Sequence, residues 1–243
     1  MQLKNVAKQI ENAEHIVVLT GAGVSTASGI PDFRSSEGVW TEDRSREEYM
    51  SNHYFSANPE DFWKKYKDIF RIKLLQQYEP NEVHKFIQEL EAVKKKVSVI
   101  TQNVDGLHEK AGSSSIIEYH GSLDKADCPS CGRSYDIEYV LQHEVPSCID
   151  CSSPIKPNVV LFGDLITEHD AAEAAIDRAE LLLVLGTSLQ VTPFNFLPEY
   201  AVSRDIYSVL INNEPTIKDY LFDEVILGDL SAVVKDLKSR IAR

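Results

Sequence analysis

The chain has 243 residues, of which 43% are hydrophobic and 26% charged, as in a globular protein with one large domain, or a core domain with a small appendage. A formal net charge of −13 speaks against nonspecific binding to nucleic acid or to an anionic membrane. It is compatible with a basic partner such as a lysine-rich tail, or simply with solubility. The N-terminal residues lack the apolar core of a secretory leader, and no apolar run approaches the roughly 20 residues of a membrane helix. These features predict a cytoplasmic protein, in whose reducing surroundings the four cysteines are not expected to form structural disulfides.

In chain order, Leu3, Val6, Ala7 and Ile10 form the apolar stripe of a first helix. Residues 16–19 read as a buried strand and run directly into Gly21-Ala22-Gly23. The loop departs from two familiar nucleotide-binding patterns. A dinucleotide fingerprint would place a third glycine where Thr26 stands, and a P-loop would supply a lysine that the segment lacks. Residues 24–28 are expected to start a helix, whose N-terminus beside bare glycines suits a phosphate. A tight strand-to-helix turn holding no ligand is the competing reading. Phe33 and Arg34 follow, a ring able to cover a flat group or a sugar and a guanidinium able to pair with a diphosphate.

Residues 35–80 are rich in aromatic and charged side chains without a strand signal, and helical pieces are expected around 61–75. Val83, Phe86, Ile87 and Leu90 mark another helix, and 97–100 another strand. Beyond it comes Thr101-Gln102-Asn103-Val104-Asp105-Gly106-Leu107-His108, which crowds polar groups at the carboxyl end of a strand, where doubly wound sheets bind ligands. If the strand continued, Asn103 and Asp105 would project on one side; a plain turn is the alternative. His120 is expected to end a short strand beside an insertion.

Residues 124–157 contain Cys128-Pro-Ser-Cys131 and, after sixteen residues, Cys148-Ile-Asp-Cys151. Doubled C-x-x-C at this spacing points to one structural zinc ion in a closed four-thiolate shell, with free thiols or a redox pair as the alternatives. Further strands are predicted at 159–162, 181–185, 207–211 and 225–227. Between and after them, helices carry the stripes Ala171, Ala174, Ala175, Ile176 and Val233, Val234, Leu237. Gly186-Thr187-Ser188 is a second small-residue loop, and Asn212-Asn213 lies at another strand end. Unalternating apolar strands separated by helices predict an α/β fold, a Rossmann-like doubly wound parallel sheet. That sheet is assigned to 1–34, 81–123 and 158–243. The insertions 35–80, helical, and 124–157, a zinc ribbon, are expected to form a smaller domain.

GAGVSTASGIPDFR, TQNVDGLH, YHGS, the paired C-x-x-C, KPNVVLFGD, GTSLQV and INN occur in an order that resembles the sirtuins, the NAD-dependent protein-lysine deacylases, over nearly the whole chain. The resemblance implies NAD as a consumed cosubstrate, one structural zinc ion, and acetyl-lysine proteins or peptides as partners. By it, Gly21, Ala22, Thr26, Phe33 and Arg34 hold the diphosphate and nicotinamide ribose, and Gln102 touches the ribose. Asn103 orders the ribose and a water, and Asp105 accepts from the nicotinamide amide. His120 serves as general base on a ribose hydroxyl after the acyl oxygen has displaced nicotinamide. Gly186, Thr187 and Ser188 hold ribose or phosphate, and Asn212, Asn213 and Asp229 the adenosine end. Val160, Phe162 and Gly163 flank the acyl-lysine, and Cys128, Cys131, Cys148 and Cys151 bind the metal.

The implied products are deacetylated lysine, nicotinamide and O-acetyl-ADP-ribose; mono-ADP-ribosyl transfer and a non-catalytic NAD sensor are the alternatives. The chain departs from the family pattern at Lys156, where arginine is usual, and at FGD, where FGE is commoner. The Tyr-x-x-Arg pair of sirtuins specialised for acidic acyl groups is Tyr66-Lys67-Asp68-Ile69 here, so little desuccinylation is expected. A short chain without long tails is expected to be a monomer.

Overall fold

A computed structural model describes residues 1–32, 45–70, 78–93 and 95–241. The chain begins with α1 (Gln2–Asn12) and β1 (His15–Thr20), then α2 (Ser45–Tyr49), α3 (Asn52–Ala57), α4 (Pro59–Ile69) and α5 (Glu82–Ala92). It continues through β2 (Lys96–Thr101), α6 (Leu107–Ala111), β3 (Ile116–Glu118), β4 (Gly121–Asp127), β5 (Ser134–Asp136), α7 (Ile137–Gln142) and β6 (Lys156–Val159). Last come α8 (His169–Ile176), β7 (Leu181–Leu185), α9 (Leu197–Val202), β8 (Tyr207–Asn212), β9 (Glu224–Leu227) and α10 (Leu230–Arg240). No helix among the described residues is long and apolar enough to cross a membrane.

Six strands form a parallel sheet in the order β3-β2-β1-β7-β8-β9. Its central strands are apolar on both faces because helices cover both. Ile16 and Val18 of β1 join a core with Val6 and Ile10 of α1, Phe86 and Leu90 of α5, and Val234 and Leu237 of α10. Val17 and Leu19, one step along the same strand, face Ala172 and Ile176 of α8 and Leu197 and Ala201 of α9. On α8 the buried stripe is Ala172, Ala175 and Ile176; Ala171 and Ala174 are exposed, so the predicted helix is present but rotated from its expected face.

The order reverses between β1 and β7, the switch point where open α/β sheets leave a crevice. Register makes the crevice level. Thr20 pairs with Thr101 and with Leu185, and Leu185 pairs with Ile211. Gly21, Gln102 and Gly186 therefore leave the sheet at one height, level with Asn212, the last residue of β8.

A third core lies beyond these strand ends. Phe62, Trp63 and Tyr66 of α4 pack with Phe55 and Phe70 against Leu123, Ala126, Ile155, Val159 and Leu161. The Trp63 indole donates to the Ile155 carbonyl at 3.0 Å. Here the strand predicted at 159–162 is corrected. β6 spans Lys156–Val159 and pairs antiparallel with β4 in a separate sheet of order β5-β4-β6. Residues 160–162 run on as a strap, and Phe162 bridges to Ser51. An apolar run signals burial, not which sheet a strand joins.

Candidate active site and metal centre

The glycine loop is shaped by another loop. A Cβ on Gly21 would lie 2.6 Å from Thr187 Cβ, and one on Gly23 would lie 2.8 Å from the Gly186 carbonyl oxygen. Gly186 has φ +60°, and its carbonyl accepts from the Gly23 N–H at 2.9 Å. The predicted helix at 24–28 is absent. Two 3₁₀ turns, Ala22–Val24 and Thr26–Ser28, stand there and end on Gly29 at φ +87°. The loop thus offers short turns, not a helix N-terminus, and its glycines serve close backbone approach. Gly23→Ala is expected to force the loops apart at a cost of about 2 kcal/mol, lowering the thermal midpoint by roughly 4–8 °C. A midpoint within one degree of wild type, by calorimetry, would refute this close packing.

Polar groups connect across the crevice. β2 ends at Thr101, so Asn103 and Asp105 do not share a strand face as expected. Ser25 unites them instead. Asn103 Nδ2 donates to the Gly21 carbonyl and to Ser25 Oγ, both at 3.1 Å. Ser25 Oγ donates to Asp105 Oδ2 at 2.7 Å, and the Leu107 N–H donates to Asp105 Oδ1 at 3.0 Å. Gln102 Nε2 donates to Thr187 Oγ1 at 2.8 Å, tying the ends of β2 and β7.

His120 lies in the turn between β3 and β4, not at a strand end as predicted. Its Nδ1 is 3.3 Å from the Gln102 carbonyl. A carbonyl can only accept, so Nδ1 carries the proton and Nε2 keeps its lone pair. Burial pushes the His120 pKa down to about 4, against a weaker upward pull from that carbonyl, so the ring is neutral at neutral pH.

The four cysteine sulfurs lie within 4.8 Å of one another, with Cys128–Cys151 at 3.4 Å and Cys131–Cys148 at 3.5 Å. A tetrahedral Zn–S shell at about 2.3 Å spaces sulfurs by about 3.8 Å, so the quartet fits one zinc ion. Each pair sits on a knuckle. The Gly132 N–H donates to the Cys128 carbonyl and the Ser152 N–H to that of Cys148. Gly132 and Ser152 both have positive φ, +75° and +59°. The Tyr135 hydroxyl donates to Cys148 Sγ at 3.1 Å and draws that thiol down to about 6, toward the thiolate a metal requires.

One cleft of about 550 Å³ runs past the glycine loop, the Gly186 loop and His120. Gly21, Ala22, Thr26, Gln102, Asn103, His120, Gly186, Thr187, Ser188, Asn212, Asn213 and Asp229 line one stretch of it, and Val160, Phe162 and Gly163 another. Asp105 is not part of its wall, and Phe33 and Arg34 lie outside the described residues. The family model described as "Sir2 family" matches residues 21–193. The chain belongs to the Sir2 family.

Among Sir2 relatives, the chain is 50% identical over 236 residues to an NAD-dependent protein deacetylase of Bacillus subtilis (strain 168), covering 94% of this chain and 96% of that one. It is 45% identical over 242 residues to NAD-dependent protein deacetylase 2 of Geobacillus kaustophilus (strain HTA426), covering 99% and 98%. A solved structure described as Sir2-p53 peptide-NAD+ is similar with a TM-score of 0.83 and 34% identity, over 98% of this chain and 97% of that one.

Within this Sir2 protein, sequence reading missed Ser25, which is buried and holds Asn103 to Asp105. It also missed Met50, Phe70 and Val191, which supply apolar wall. A serine between glycines and small residues carries no distinguishing pattern, Met50 and Phe70 are remote in sequence from every motif, and Val191 closes the GTSLQV stretch with nothing to mark it as wall.

Behind the glycine loop, His84 and His108 are 0% and 2% exposed, with ring centroids 4.8 Å apart. Burial pushes their pKa values down to about 4 and about 3; Asp105 opposes the shift on His84, and His84 adds to that on His108. The folded protein refuses protons that the unfolded chain accepts near pH 6.5, so stability falls as pH drops below that value. At about 1.4 kcal/mol per pKa unit, this pair alone can remove several kcal/mol by pH 4. Unfolding midpoints measured from pH 7.5 to 4 are expected to fall steadily below 6.5; a flat profile to pH 4.5 would contradict it.

Proposed function

We propose that this chain is an NAD-dependent protein-lysine deacetylase that consumes NAD and acetyl-lysine and releases nicotinamide and O-acetyl-ADP-ribose. Bound NAD supplies an electrophilic ribose carbon with nicotinamide as its leaving group. Val160, Phe162 and Gly163 of the strap flank the acyl-lysine, whose oxygen meets that carbon. Ala22 and Thr26, with Arg34, take the diphosphate side; Gly186, Thr187 and Ser188 hold ribose or phosphate; Asn212, Asn213 and Asp229 hold the adenosine end. Asn103 orders the ribose, and Asp105 holds Asn103 in place through Ser25. His120 accepts the ribose hydroxyl proton at Nε2, which the hydrogen bond at Nδ1 keeps free. The insertions 35–80 and 124–157 form a small domain closing the far side of the cleft, and four thiolates hold one zinc ion outside the chemistry.

The observation that carries this reading is the fixed tautomer of His120 in a cleft at the β1/β7 switch point. The relatives' names and the peptide-NAD+ description of a similar structure support the substrates. Mass spectrometry of an acetyl-lysine peptide with and without NAD tests it. Loss of acetyl only with NAD, together with O-acetyl-ADP-ribose, is expected. An unchanged peptide with an ADP-ribose mass gain on protein would replace the reading by ADP-ribosyl transfer, and NAD binding with neither would leave a sensor.

A succinyl-lysine peptide in the same assay is expected to turn over at least about tenfold more slowly, since an unpaired buried carboxylate is costly. Among the described residues no lysine or arginine lines the cleft, and the Tyr66 hydroxyl is buried in the aromatic core.

A further inference from the structure

The carboxylate of Asp164 joins three pieces of chain. Its Oδ2 accepts from Lys156 Nζ at 2.5 Å and from the Leu161 N–H at 2.8 Å. Its Oδ1 accepts from Asn52 Nδ2. Lys156 opens β6, Leu161 belongs to the strap, and Asn52 opens α3. The Lys156 and Asp164 side chains are only 25% and 11% exposed, whereas the helix pair Lys64–Glu60 is 49% and 72% exposed. A short charge pair shielded to this degree is much less screened than a surface one.

The group brackets the strap. The Asn52 N–H donates to the Phe162 carbonyl at 3.0 Å, and the Phe162 N–H donates to the Met50 carbonyl at 2.9 Å. The Asp164 N–H donates to the Leu161 carbonyl at 2.9 Å, closing a turn with Gly163 at φ +90°. Val160, Gly163 and Asp164 border the cleft on one side and an outer groove of about 780 Å³ on the other. The strap separates these two spaces; Leu161 seats it in the aromatic core and the Val160 N–H holds it to the His120 carbonyl at 2.9 Å, while its far end at Phe162 and Gly163 is exposed and depends on Met50, Asn52 and Asp164. The aromatic core secures the surrounding fold through Trp63 and Ile155, and the Asp164 carboxylate adds a polar hold at the edge of that core.

We propose that Lys156, Asp164 and Asn52 form a positioning clasp. It fixes the height of residues 160–163 over the cleft and so governs affinity for the acyl-lysine peptide without governing affinity for NAD. This rests on the assignment of Val160, Phe162 and Gly163 to the substrate wall. The clasp residues touch the strap, not the reacting atoms. Without Asp164 the shielded Lys156 ammonium loses its counter-charge, and without Lys156 the carboxylate keeps only the neutral donors Asn52 and the Leu161 N–H.

Steady-state deacetylation by the zinc-loaded full chain tests the clasp, using Asp164→Ala, Lys156→Met, Lys156→Arg and the Asp164→Ala/Lys156→Met double variant. Peptide KM is expected to rise about tenfold in Asp164→Ala and Lys156→Met, with NAD KM and kcat within about twofold of wild type. Lys156→Arg keeps the charge and is expected to stay within about threefold. The double variant is expected to be no worse than the poorer single one, because both remove one interaction. Peptide KM within twofold of wild type in both single variants overturns the proposal. So does a joint change of kcat, both KM values and the thermal midpoint, the mark of a merely structural role. Val160→Ala separates the two ways of failing. If it raises peptide KM and the clasp variants do not, the clasp is wrong; if none does, the assignment of the substrate wall falls with it.

Discussion

His120→Ala is expected to lower kcat for deacetylation by about 10²–10⁴-fold, the usual worth of a positioned general base, with the Kd for NAD within about threefold of wild type. The split arises from where the ring sits. It lines the cleft as one wall residue among many, and its Nδ1 bond to the Gln102 carbonyl fixes orientation, not the ligand. Most groups assigned to NAD lie on the glycine loop, the Gly186 loop and the ends of β8 and β9, all tied to the parallel sheet. Removing the imidazole should leave nicotinamide displacement possible and stall the later transfer of the acyl group. Nicotinamide release measured against acetyl loss would show it: the first persists in part while the second stops. Stopped-flow kinetics with kcat reduced less than tenfold would remove His120 from the role of base.

The pH profile adds a second check. A His120 pKa of about 4 keeps the base neutral through the mildly acidic range. The acid limb of activity should therefore track unfolding driven by His84 and His108, not titration of the base.

The parts of this molecule legible in its sequence are those governed by local pattern. Unbroken apolar runs such as 181–185 could only be strands covered on both faces, and they are the sheet's centre. The cysteine spacing specified its quartet because a knuckle is a short-range structure. The features that stayed hidden were set by distant partners. The glycines of the first loop suggested a helix N-terminus, but they answer to the Gly186 backbone, more than 160 residues away, and the helix is not there. Residues 159–162 showed burial without showing that β6 belongs to the antiparallel sheet. Asn103 and Asp105 were recognised as a polar pair, yet the geometry uniting them depends on Ser25, which no spacing rule singles out.

Cys148→Ser is expected to yield protein without zinc and with deacetylation reduced at least about 100-fold, because binding a structural metal is folding free energy for a segment with little core of its own. The segment's fate is coupled to the cleft by packing. Cys128 and Cys148 are themselves buried in the aromatic core that holds Trp63, Leu123 and Val159. Tyr135 bridges Cys148 Sγ and the Ile149 N–H, so the second knuckle is held partly through the thiolate that serine removes. Losing the metal removes what ties Cys128 and Cys131 to Cys151, and the knuckles separate. β6 loosens with them, since it pairs with β4, and the strap at 160–162 loses the end on which it hangs. The parallel sheet has its own two cores and should survive. Hydrogen exchange distinguishes this outcome from global unfolding. Amides of β4, β5 and β6 should lose protection, while those of β1, β7 and β8 keep theirs. Chelator-treated wild type should behave alike and recover when zinc is restored. A metal-free protein that retains full activity and protection throughout β4–β6 would show that the quartet is dispensable, and with it the dependence of the substrate wall on the metal.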